Sequence, residues 1–239
     1  MQDIKMKLFS VLNAEPYNPQ IMIDSLKCFD NIKRAYSLLN SKKRSYNLEE
    51  HTLMVCNMFE KYFQRIAYPK EFGIRPFRLL LCLHDIGKPE SLLENKKIMQ
   101  HSYTINMIKD ISDLLPLNEE EYMIAVALIS DDPLGLYIRG KIELNDAIIR
   151  IKQMVEKSQI DKMEFMKLLF IYYQVDSTAY TKEGYIGDFK EFSEKPKLES
   201  VFQKDFKGNL VFSENKNRLI FSENIEKMIN SLCISMRVE

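Results

Sequence analysis

One stretch restricts the fold of this chain more than any other: Arg75 to Ile86, which reads RPFRLLLCLHDI. A helix built on that nearly continuous apolar run has no face suited to water, so it must lie inside a core rather than along its rim. The run ends in His84-Asp85 and is stopped by Gly87 and Pro89. An ionised carboxylate at the end of a buried helix has to be paired, bound to a metal or neutralised. The plain alternative is an Asp85 that projects from a frayed helix end.

The rest of the chain favours helices as well. Only 7 glycines and 8 prolines occur among 239 residues, too few for a glycine-rich dinucleotide fingerprint or a loop-rich β-sandwich. Neither G-x-x-x-x-G-K-[ST] nor G-x-G-x-x-G is present. Leu26, Phe29, Ile32, Tyr36 and Leu39 recur at spacings of three and four, which predicts one helix from Gln20 to about Asn40. Asn47 with Glu50 forms a capping pattern for a second helix running to about Ile66, with Met54, Val55, Met58, Tyr62 and Ile66 on its apolar face. Further helices are predicted at about 102–115, 118–130, 143–156 and 161–181, with breaks at Pro116 and at the turn Asp132-Pro133-Leu134-Gly135. After Lys182 aromatic and β-branched residues alternate with Gly-Asn and Asn-Lys-Asn, which suits an irregular loop and a small β-hairpin before a last helix at about 223–235. The expectation is an all-α, mainly helical domain over 1–182, with a C-terminal elaboration, 183–239, packed on it.

The 34 basic and 34 acidic side chains cancel, so no global field draws the chain towards nucleic acid or an anionic membrane. Four cysteines stand far apart without a C-x-x-C pair, which argues against a disulfide framework, a disulfide-linked partner or a zinc ribbon and fits a reducing cytoplasm. No stretch at the N-terminus is apolar and long enough for a signal peptide or a membrane span.

Three histidines are present: His51, His84 and His101. His51 shares a helical face with Met54, Val55 and Met58, where a lone histidine is ordinarily a core residue satisfied by a backbone carbonyl. Asp176 lies one turn after Tyr172 and in line with Leu169 and Phe165, so it projects from an apolar face. Its partner there is either an arginine, with Arg44 and Arg150 as candidates, or a metal held by imidazoles. Two imidazoles and two carboxylates on the inward faces of three helices form a mixed N/O set, which suits a divalent ion such as Mn, Fe, Ni, Co, Zn or Mg.

The segment LLLCLHDIGKPE resembles the signature of the HD-domain superfamily of metal-dependent phosphohydrolases. EEHTLMV is similar to that superfamily's first histidine helix and YYQVDSTAY to its closing aspartate helix. The HDIGKP run followed by His101 is similar to the HD modules of bacterial tRNA nucleotidyltransferases and related phosphodiesterases. The resemblance spans roughly residues 45–181. It implies that His51, His84, Asp85 and Asp176 ligate one metal per chain, that Asp85 and Lys88 are catalytic, and that Lys88 faces the substrate phosphate. It gives His101 either a phosphate contact or a place on a second metal. Arg44, just ahead of the His51 helix, is a candidate phosphate contact, with a surface arginine as the plain alternative.

The sequence also departs from the pattern. Binuclear members carry a further histidine where this chain reads ALISDDPLG, so a single ion is favoured, with Asp131 or Asp132 left open as second-metal ligands. The expected activity is hydrolysis of a phosphomonoester or phosphodiester, of a small nucleotide or short oligonucleotide, by metal-activated water. The competing expectation is a non-catalytic HD module that binds a nucleotide or a protein partner.

Overall fold

The computed structural model describes residues 2–39, 46–185 and 198–237. Among the described residues the chain is mainly helical, with one two-stranded sheet near the C-terminus, as its sequence predicts. A single connected core runs from Leu8 in the first helix to Met236 in the last.

The central element is the leucine-rich helix, α5 (Ile74–Leu83); before it come α1 (Gln2–Leu12), α2 (Pro19–Leu26), α3 (Asp30–Ser37) and α4 (Leu48–Tyr62). Every residue of α5 from Pro76 to Leu83 is buried, the all-round burial that its composition demands. Tyr36 on α3 donates its hydroxyl to the Cys82 carbonyl at 2.7 Å, satisfying one of the carbonyls that a helix end leaves without a partner. The Asn47–Glu50 capping box starts α4 as predicted: the Glu50 N–H donates to Asn47 Oδ1 at 2.9 Å and the Asn47 N–H donates to Glu50 Oε2 at 2.7 Å.

Several boundaries differ from the sequence expectation: α4 ends at Tyr62 rather than about Ile66, and the helix expected to reach residue 115 ends at Asp110. The helix expected from Gln20 to Asn40 is two helices, α2 and α3, divided at Phe29, whose backbone is extended. Leu26, Phe29, Ile32 and Tyr36 are nevertheless all buried, because the turn keeps the same faces inward, whereas Leu39 is left exposed. The prolines read as breaks also begin short helices, α6 (Lys88–Leu93) and α9 (Pro133–Ile138). A proline in a first helical turn gives up no intrahelical hydrogen bond.

Between and after these lie α7 (Gln100–Asp110), α8 (Glu119–Ile129), α10 (Leu144–Ser158), α11 (Lys162–Thr178) and α12 (Glu223–Arg237). The hairpin pairs β1 (Phe212–Ser213) with β2 (Arg218–Leu219), antiparallel, around a loop in which Asn217 takes the left-handed conformation. It is tied to α11 by the buried Gln174 side chain, which donates to the Leu219 carbonyl at 2.9 Å and accepts from the Leu219 N–H at 3.2 Å. Glu183 holds the same segment to α4: it bonds Lys61 and the Tyr62 hydroxyl and accepts the Leu210 N–H at 2.7 Å. The segment after Lys182 thus braces the two helices that carry His51 and Asp176.

No helix among the described residues is long and apolar enough to cross a membrane. All four cysteines are free thiols.

Candidate metal centre

His51 sits in the first turn of α4, His84 caps the end of α5, Asp85 follows it, and Asp176 lies in the last turn of α11. The His84 ring is fixed by the helix it ends. With Nδ1 protonated it donates to the Leu81 carbonyl at 2.6 Å, which turns Nε2 away from the helix. His51 and His84 are buried, Asp85 is nearly so, and 38% of the Asp176 side chain remains accessible, so solvent reaches the cluster from the Asp176 side.

One ligand atom from each of the four residues lies within 4.8 Å of all the others. His51 Nε2 is 3.2 Å from Asp176 Oδ1 and 3.6 Å from Asp85 Oδ2. His84 Nε2 is 3.6 Å from Asp176 Oδ1 and 3.7 Å from Asp85 Oδ2. Ligands held tetrahedrally at about 2.1 Å from an ion stand about 3.4 Å apart, so these four separations suit a shared cation. The hydrogen bonding points the same way. His84 Nε2 and Asp176 Oδ1 are buried and have no hydrogen-bond partner among the described residues, an expensive arrangement unless a ligand completes it. His51 Nδ1 likewise has none, so the usual acceptor behind a ligating imidazole is missing among the described residues.

Lys88 is in direct contact with the group. Its Nζ lies 2.5 Å from Asp85 Oδ2 and 3.4 Å from the Tyr180 hydroxyl. Its ammonium reaches Asp85 but is not a partner of Asp176 Oδ1.

The titration tendencies follow from this crowding. Burial holds the His51 pKa below its ordinary value despite Asp176. Burial acts in the same sense on His84, but the charges of Asp85 and Asp176 outweigh it and the net shift is upward. Burial alone would raise both carboxyls. The Lys88 and His84 charges lower Asp85, and the His51 and His84 rings that face Asp176 hold it well below the usual carboxylate range. Burial is outweighed at Lys88 too, where Asp85 raises the ammonium pKa and keeps it charged.

Gly87, in the HDIGK run, is required by close approach rather than by its backbone angles. A Cβ there would stand 2.1 Å from the Thr104 backbone nitrogen on α7, and the Gly87 N–H donates to Thr104 Oγ1 at 3.1 Å. This contact seats α6, and with it Lys88, against α7.

His101, Asp131 and Asp132 lie outside the four-residue set. Asp131 makes a two-point ion pair with Arg150, at 2.6 and 2.7 Å, so Arg150 is engaged away from Asp176. Asp132 caps α9 by accepting the Gly135 N–H at 3.0 Å and pairs with Arg139 at 2.7 Å; burial still raises its pKa. His101 lies on α7 with Gln100 Nε2 3.4 Å from its ring nitrogen. None of His101, Asp131 and Asp132 belongs to the converging set, so the second-metal positions considered from the sequence have other partners here. Arg44 lies outside the described residues.

Sequence reasoning passed over the tyrosines. Tyr180 stacks on His51, with centroids 4.9 Å apart and planes at 20°, and its hydroxyl is 3.2 Å from His51 Nε2. Tyr172 meets the His84 ring edge-on at 6.2 Å, and Tyr46 lies nearly parallel to His51 at 6.2 Å. The available signal was spacing: Tyr172 and Tyr180 stand four residues before and after Asp176, one helical turn each way. The chain matches no protein-family model, no curated protein and no solved structure.

Proposed function

We propose that this chain is a metal-dependent phosphohydrolase of the HD type, cleaving a phosphomonoester or phosphodiester of a nucleotide or short oligonucleotide. The observation that carries the reading is the convergence of His51, His84, Asp85 and Asp176 on one point, with His84 Nε2 and Asp176 Oδ1 left without partners. The paired imidazoles favour Mn, Fe, Co, Ni or Zn over Mg as the resident ion.

A divalent ion held there supplies a Lewis acid and lowers the pKa of a coordinated water from about 15.7 towards about 7. The side chains contribute the rest. Asp85 is kept ionised by Lys88 and so acts as a hydrogen-bond acceptor that orients the attacking water. Lys88 stays charged beside it and would offset charge that develops on phosphoryl oxygens. Asp176, the most exposed of the four, marks the side from which substrate enters.

The test joins elemental analysis of the purified protein to hydrolysis of aryl phosphomonoesters and phosphodiesters with Mn, Co, Ni, Zn and Mg. One bound equivalent and metal-dependent turnover are expected, both abolished in Asp85→Ala. Turnover that survives this substitution, or a metal-loaded protein inert towards every phosphate ester, overturns the reading.

A further inference from the structure

Resting on that reading, we infer that Tyr172 is a substrate-contacting residue: its phenol donates a hydrogen bond to an oxygen of the phosphate ester that enters the centre past Asp176. From Ile171 to Thr181 every residue is buried except Tyr172, Asp176 and Tyr180. Those three recur at every fourth position, so they share one face of the chain there, a turn apart. The face that reaches solvent at the centre is therefore a strip in which the ligating carboxylate stands between two phenols.

Tyr172 is the phenol beside His84. Its ring meets the His84 ring edge-on, at 84° with centroids 6.2 Å apart, and that contact fixes the ring's orientation. Burial, and then the charges of Asp85, Asp176 and Asp132, raise its pKa, so the hydroxyl lies within electrostatic reach of the carboxylates. It nevertheless makes no hydrogen bond to any described residue, and its one donor is left for solvent or a ligand. Placement separates it from an ordinary solvated tyrosine: it sits one turn, about 6 Å along the axis, from one ligand of the centre and packs on the ring of another. Lys88 stands by the other phenol of the strip, 3.4 Å from the Tyr180 hydroxyl. A phosphate in the centre is thus gripped by a cation towards one end of the strip and by a neutral O–H at the other. Trading water for an anionic oxygen makes the phenol's hydrogen bond charge-assisted.

The test uses the full chain and inorganic phosphate as the probe, and compares wild type with Tyr172→Phe, which keeps the ring and removes only the hydroxyl. Mn²⁺ affinity of the metal-free proteins and their melting temperatures should be unchanged, since the hydroxyl is neither a ligand nor a partner within the fold. Phosphate affinity of the Mn²⁺-loaded variant, read by calorimetry, should fall about 10- to 100-fold, the range for one hydrogen bond to a charged acceptor. The kcat/KM for an aryl phosphomonoester should fall by a similar factor. Phosphate affinity that is equal in the two proteins or absent from both, weaker Mn²⁺ binding by the variant, or a lower melting temperature overturns the role of Tyr172 and leaves the metal centre standing. A wild type that takes up no Mn²⁺, Co²⁺ or Ni²⁺ overturns the metal centre and this role together.

Discussion

Helices α4 and α5 bury charge at two places, and the two are built differently. Glu60 and Arg78 form a closed pair: Nε and Nη2 of Arg78 donate to the two Glu60 oxygens at 2.8 and 2.7 Å. The guanidinium also lies 4.1 Å from the Tyr17 ring centroid. About 13 Å away along α4, nine residues at 1.5 Å each, His51 begins the second cluster, which does not close on itself. There the polar groups face one another, yet His84 Nε2 and Asp176 Oδ1 find no hydrogen-bond partner among the described residues. A structural ion pair consumes its own hydrogen-bonding capacity, whereas a binding site keeps some in reserve. This contrast, more than the presence of histidines, separates a ligand centre from a buried salt bridge.

The sharpest way to break the comparison is to remove one acid from each cluster. Asp176→Ala should abolish metal retention and lower turnover by about 10³-fold or more, as expected when several kcal/mol of metal-supplied stabilisation disappear. Glu60→Ala should leave metal stoichiometry unchanged but destabilise the fold by about 3–5 kcal/mol, because Arg78 stays buried without its partner. Metal analysis and denaturant melts of both variants check this. Equal metal retention in both, or equal loss of stability, would erase the distinction.

Chelation probes the reserve directly. An ion present at 100 times its Kd stabilises the folded state by about 2.7 kcal/mol. At about 2–4 °C per kcal/mol for a chain of this size, EDTA should lower the melting temperature by about 5–10 °C. Asp176→Ala should show no such response. A wild-type melting temperature indifferent to EDTA counts against a resident ion.

Gly87→Ala comes next in size. The added methyl would meet the α7 backbone at Thr104 and Tyr103, an overpacking expected to cost about 1–3 kcal/mol with or without metal. Because the strain falls beside Lys88, turnover should drop more than metal affinity does. A variant as stable as wild type would show that α6 and α7 part easily.

How much of this was legible in the sequence depends on range. His51, His84, Asp85 and Asp176 could be assigned to inward faces because helical period and apolar neighbours are local signals, and the capping box at Asn47 and Glu50 marked its helix start correctly. The division of α2 from α3 was not legible: no glycine or proline marks it, and the buried positions keep a helical spacing through the turn at Phe29. Pro89 and Pro133 announce a helix end and a helix start with the same residue, and only packing shows both. The sequence left Asp131 and Asp132 open as second-metal ligands and could not show their pairing with Arg150 and Arg139, because pairing across helices leaves no trace in local sequence. Tyr180 was hidden for a related reason, since a tyrosine at the end of an apolar helix reads as core until its hydroxyl is found against His51.

The smallest expected effect concerns protons and separates the two clusters by the sign of a slope. In chelated protein, His84 has a folded pKa above its unfolded value of about 6.5, because Asp85 and Asp176 outweigh the effect of burial. Its contribution to stability is therefore complete below about pH 6.5 and is lost as pH rises through the folded value. Asp85 and Asp176, both depressed, contribute fully above about pH 4 and lose that contribution only in acid. His51, shifted down by burial, adds stability as pH rises towards about 6.5 and nothing further beyond it. Above about pH 6.5, then, His84 is the member of the cluster that titrates, and the EDTA-treated protein should melt at progressively lower temperature from pH 6.5 to 8. With saturating metal the slope should vanish or reverse, because the ion competes with that same proton and binds better as it leaves. Arg78 stays charged throughout, its pKa raised by Glu60 against the effect of burial, so the closed pair adds no slope in either state. His84→Gln in EDTA should flatten the decline, and a decline that persists in that variant assigns the proton to another group.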